Sequence, residues 1–184
     1  MLLALVTVVL PNNLFGQDNL PLLQKQKKIN FELFGISYRS ETPIRNKLSH
    51  IFHGGLQYSF VITSGNVIEK YYSSLDAVAA SGLRYYLNLH RKNEQNNGNF
   101  FQVDAGIKSG SIISRNMYYP AYVYLRPHWG IQIASGKRVS FELGAGLTIG
   151  SSIIEKYKGV AVAPNAQFRV GYLFMDRNAN KNDF

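Results

Sequence analysis

Cysteine is absent from the 184 residues, which excludes a disulfide framework and any thiolate metal site. Acidic residues are scarce: 11 Asp+Glu face 20 Lys+Arg, for a formal net charge of +9. Charged residues of both signs make up 17% of the chain, against roughly 25% in ordinary soluble domains. The basic residues are scattered singly, the densest cluster being Lys25, Lys27 and Lys28. No nucleic-acid-binding module accompanies them, so no nucleic acid partner is expected; the charge suits anionic lipid head groups and lipopolysaccharide phosphates. Long apolar runs are also missing. The longest, Met1 to Leu10, is too short for the about 20 residues a transmembrane helix needs. There is no Gly-rich phosphate loop, no pair of carboxylates at a catalytic spacing, and no sustained helical period.

What the chain does have is aromatics, glycine and alternation. Tyr (12) and Phe (11) dominate the aromatics, and Gly occurs 16 times. The run Met1–Leu10, followed by Pro11 and small residues up to Gln17, has the form of a secretory signal peptide over 1–17, although no Lys or Arg precedes it. Residues 18–28 read as a periplasmic lead-in with a short helix over Leu20–Lys28, residues 29–175 as the folded domain, and 176–184 as a polar tail.

Period-2 patterning fills the domain. In the last strand Ala166, Phe168, Val170, Tyr172 and Phe174 share one face, and Gln167, Arg169, Gly171 and Leu173 the other. Phe141 to Ile149 alternates with Glu142 to Gly150, and Tyr119 to Ile133 places Tyr122, Tyr124, Arg126, His128 and Gln132 opposite an apolar face. Phe101–Lys108, Leu83–His90 and Leu56–Thr63 read the same way, and Val67–Tyr72 follows the Ser64-Gly65-Asn66 turn. The first strand, Ile29 to Arg39, breaks phase at Leu33-Phe34, which predicts a bulge. Short connections are expected on the side of the N-terminus at 64–66, 91–98 and 135–137, and outward loops at 40–52, 73–78, 109–118 and 151–164.

Alternation alone does not say which face is inside. The polar face is rich in Gly and lacks the dense Lys/Glu cover of a soluble surface. The strands also reach the 9–11 residues that cross a bilayer when tilted. The fold expected is therefore all-β: a closed antiparallel up-and-down transmembrane β-barrel of about eight strands. An open edge in lipid would leave backbone groups unpaired. The polar face then turns Arg84, Asp104, Lys108, Arg126, Glu142 and Arg169 into a lumen only wide enough for side chains. Charges confined there must pair, so these six predict a structural ion network, with His90 and His128 also facing inward. Trp129, Tyr85, Tyr119 and Tyr172 read as interface anchors.

Three stretches carry a resemblance. They are Gly82-Leu83-Arg84-Tyr85-Tyr86-Leu87-Asn88-Leu89; Pro127-His128-Trp129-Gly130-Ile131-Gln132 with Phe141-Glu142-Leu143-Gly144-Ala145-Gly146; and Phe168-Arg169-Val170-Gly171-Tyr172-Leu173-Phe174. In these the chain resembles the small OmpA/OmpX-like outer-membrane β-barrel proteins of Gram-negative bacteria. It departs from them in the tail Met175–Phe184 that follows the closing strand. The resemblance implies an outer-membrane location, lipid and lipopolysaccharide around the barrel, the barrel assembly machinery during biogenesis, and an envelope protein as a further partner.

The function expected is non-enzymatic: a structural or adhesion-type surface protein, or an accessory subunit of an envelope complex, without cofactor. A lipid-modifying enzyme at the outer rim is an alternative, but no motif singles out a nucleophile. A soluble lipocalin-like barrel, with the same strands turned inside out, is another. His50 and His53 lie at a spacing open to a metal ion but bring no supporting Asp, Glu or Cys, so no metal is assigned.

Overall fold

The structure is a computed structural model and describes residues 23–63, 70–92, 95–115, 120–154 and 159–174. Over these residues the chain is all β. Its strands are β1 (Gln26–Glu32), β2 (Gly35–Arg45), β3 (Leu48–Thr63), β4 (Lys70–Tyr86), β5 (His90–Lys92), β6 (Gln95–Arg115), β7 (Tyr122–Ser135), β8 (Val139–Ser152) and β9 (Val160–Phe174). All pairings are antiparallel and run between neighbours in the chain, and two further pairings, β1 with β9 and β4 with β6, complete a ring of eight long strands. β5 stands outside the ring as a short ribbon on the start of β6.

The count of eight agrees with expectation, but the first half is divided differently. Leu33-Phe34 is not a bulge; it is the turn of a hairpin, with Glu32 facing Gly35 across it. Hairpin turns of this length usually advertise themselves with Asn or Gly, and two apolar residues gave no such signal. Residues 40–52 are not an outward loop, because β2 and β3 run through them and turn at Asn46-Lys47. Nor is 73–78 a loop. It belongs to β4, which merges the two strands expected at 67–72 and 83–90. One strand split and one pair merged, so the total survived.

The connections redistribute accordingly. The turns at 46–47 and 136–138 and the finish of β4 share an end with the N-terminal start of β1 and the finish of β9. β3 finishes and β4 starts at the opposite end, and the turn expected at 64–66 on the N-terminal side lies outside the described residues. The short helix expected over 20–28 is absent from its described part, where Gln26, Lys28 and Asn30 already point inward along β1. The signal-peptide segment 1–17 and the tail 176–184 lie outside the described residues.

Side chains take opposite environments on the two faces of the wall. Phe101, Ile107, Leu125, Trp129, Leu143, Phe168 and Tyr172 are exposed on the outside, while Arg84, Gln102, Asp104, His128 and Glu142 are buried inside. This is the reverse of the inside-out arrangement a soluble lipocalin-like barrel requires. Inside, Leu23, Tyr86, Leu89 and Phe100 form a small apolar cluster toward the N-terminal end.

Interior glycines make room for these side chains. A Cβ on Gly130 would lie on the Phe100 ring and 2.7 Å from the carbonyl oxygen of Leu143. Valine favours strands, yet here overpacking outweighs propensity. Gly130→Val is expected to lower stability by about 1–3 kcal/mol, read as a lower urea midpoint of the refolded barrel.

Candidate functional site

The lumen is organised around one carboxylate. Glu142, on β8, accepts from Nη1 of Arg39 at 2.9 and 2.7 Å, from Nη2 of Arg84 at 2.8 Å and from Nη1 of Arg169 at 2.5 Å. These residues come from β2, β4, β8 and β9, so a single group ties together four strands spread around the ring. Charge-assisted bonds of this kind are about twice as strong as neutral ones.

Arg84 is the second hub and is fully buried. Its Nε donates to Gln102 Oε1 at 2.7 Å and its Nη1 to Gln132 Oε1 at 2.9 Å. Its guanidinium carbon stands 3.7 Å from the centre of the Phe100 ring, a cation–π contact. Toward the N-terminal end, Glu41 accepts from Tyr86 Oη, Asn96 Nδ2 and Ser49 Oγ, each at 3.0 Å. Toward the other end, Arg169 Nε reaches Glu32 at 3.2 Å and Lys108 Nζ pairs with Asp76 at 2.7 Å. Asp104 accepts from Gln102 Nε2 at 2.6 Å and lies 3.9 Å from His128 Nδ1.

No family model, no curated protein and no solved structure matches the chain.

All of Arg84, Asp104, Lys108, Arg126, Glu142 and Arg169 are buried inside the ring. The structure links Arg84, Glu142 and Arg169 directly and Asp104 to Arg84 through Gln102. Lys108 belongs to a separate pair, and Arg126 stands apart. Sequence reasoning missed Arg39, Glu41 and Lys28. Around Arg39 to Pro43 both faces are polar or small, so the alternation that marks a strand is faint, and Pro43 argues against one. The register indeed shifts between Pro43 and Arg45.

His50 and His53 do not converge. His53 is buried, whereas His50 bonds Ser81 Oγ at 2.7 Å on the outer face. No carboxylate stands behind that His–Ser pair among the described residues, so it lacks the third member of a hydrolytic triad. His128 is buried as expected; the side chain of His90, and Tyr119, lie outside the described residues. Tyr85 and Tyr172 sit near strand ends on the N-terminal side, but Trp129 is in mid-strand.

Proposed function

We propose that this chain is an outer-membrane β-barrel whose lumen is closed by its own side chains, a structural or adhesion-type surface protein or an accessory subunit of an envelope complex, and not an enzyme. One observation carries the reading: the wall is apolar outside and the charges are buried inside, joined through Glu142. Lipid favours that polarity and water opposes it. The outward apolar face on β7, Val123 to Ile133, is 11 residues long, within the 9–11 that cross a bilayer. The crowded interior supports a barrel that does not conduct. Lipid and lipopolysaccharide are its surroundings, the barrel assembly machinery its route to them, and an envelope protein its further partner.

Cell fractionation combined with a gel-shift assay tests this. The folded protein is expected in the outer-membrane fraction, migrating differently before and after boiling, and silent in planar-bilayer recordings. Release into the soluble fraction, or a large stable pore, would overturn it.

A further inference from the structure

The ring is not equally tall all round. β1 stops at Glu32, which faces Arg169 on β9, so residues 160–168 of β9 pair only with β8. At roughly 3.3 Å per residue this is about 30 Å of strand without a second neighbour among the described residues. β2 begins at Gly35 opposite Gln57, and the N–H of Tyr58 donates to the Phe34 carbonyl at 2.6 Å. Beyond that bond, residues 59–63 of β3 pair only with β4 among the described residues. Among these residues the wall therefore has a gap between β3 and β9, whose sill is the β1–β2 turn.

The sill is apolar. Leu33 is 67% exposed and Phe34 42%, and Val162 on the adjoining edge is 62% exposed. A turn built from Leu-Phe is suited to hydrocarbon, not to water. A cavity of about 410 Å³ adjoins it, within the range of small-molecule sites. Its lining passes from the outward Leu33, Phe34, Trp129 and Phe168 to the inward Gln57, Arg126, Gln167 and Arg169.

Arg126 is the informative residue. It is 8% exposed, its Nε donates to Thr148 Oγ1 at 3.2 Å, and its guanidinium carbon lies 4.6 Å from the Tyr124 ring centre. Of the buried cations in the lumen, only Arg126 and Lys28 have no carboxylate within 4.0 Å among the described residues, and Lys28 does not line this cavity. Glu32 also borders the cavity, but Arg169 and Ser37 already engage it. Gln167 offers a buried Oε1 with no hydrogen-bond partner, its Nε2 being donated to Asn165. The site thus presents a cation for an anion, an acceptor for a hydroxyl, and an apolar doorway for a chain.

We infer that this lateral gap admits a single-chain phospholipid from the surrounding membrane, its phosphate held by Arg126, its glycerol hydroxyl donating to Gln167, and its acyl chain lying over Leu33, Phe34 and Phe168. An arginine fork suits a phosphate bidentately. The inference rests on the membrane reading above.

Trp129, the chain's one tryptophan, stands at the cavity's outer lip and is a built-in reporter. The full-length barrel, refolded in nonionic detergent and shown to be heat-modifiable, is titrated with lysophosphatidate brominated on its chain. Saturable quenching of Trp129 is expected, weakened at least tenfold by Arg126→Gln and less than threefold by Arg126→Lys. Brominated monoacylglycerol, which lacks the phosphate, is expected to quench only linearly and equally in all variants. Quenching by lysophosphatidate that ignores Arg126→Gln would overturn the inference. So would displacement of the probe by equimolar glycerol 3-phosphate, which would mark a site for free phosphate esters. If Arg126→Gln loses its heat shift, Gln167→Met decides, with binding expected about threefold weaker and unchanged binding counting against the site. Absence of the heat shift in the unaltered protein would instead defeat the membrane reading itself.

Discussion

Glu142→Ala is expected to destabilise the barrel by about 3–5 kcal/mol, the cost typical of stripping one partner from a buried ion pair. The upper part of that range is the expectation here, because the change takes a carboxylate from Arg39, Arg84 and Arg169 together. Arg84 retains Gln102, Gln132 and, at 3.9 Å, Glu41, and Arg169 retains Glu32, but Arg39 is left without a carboxylate within 4.0 Å among the described residues, where its Nε and Nη2 already have no partner. Urea titration of the protein refolded into lipid vesicles reads the effect directly. Pairing Glu142→Leu with Arg39→Met should recover part of the loss, since a buried pair replaced by apolar groups of similar volume is often neutral. A loss below about 1 kcal/mol for Glu142→Ala would mean that water fills the lumen and screens its charges.

Leu125→Arg separates a lipid-facing wall from a solvated one. Leu125 is exposed on the outer face of β7, between Ala105 of β6 and Ile149 of β8. Inside a bilayer an arginine there costs more than the about 0–1 kcal/mol of an interfacial position and up to the about 2–4 kcal/mol of the midplane. On a surface facing water the same change stays within about 0.5 kcal/mol. Ser135→Arg, at the exposed end of the same strand, supplies the comparison and is expected to cost about 0–1 kcal/mol. Equal unfolding free energies for Leu125→Arg and Ser135→Arg would rule out lipid around β7.

The second half of the barrel was legible because both signals of a strand are present there. Along Tyr122–Ser135 and Phe168–Phe174 each inward polar or small residue is flanked by outward apolar ones, and the turn between β7 and β8 carries Gly136 at a positive φ of 69°. The first half lacked one signal or the other. Leu33-Phe34 turns without Gly or Asn between Glu32 and Gly35, so no turn residue marked it. Ser73 to Val78 looks like a loop because it is rich in small and polar residues, and Asp76 sits inside with Lys108, on β6, at 2.7 Å and the Ser74 hydroxyl at 2.9 Å. Glu41 looked like a loop residue for the same reason, and Arg39 stood at the end of the first expected strand, beyond its phase break. Their partners Glu142, Tyr86 and Asn96 lie 45 to 103 positions away in the chain.

The sequence by itself determined the strand period and, through the second half, which residues share a face, because alternation is a local property of neighbouring side chains. Tertiary structure alone decided which charges meet, that Glu142 is the hub and Arg126 stands apart, and that the wall is low at the β1–β2 turn. Those are consequences of register and closure, in which strands from opposite ends of the chain come into contact.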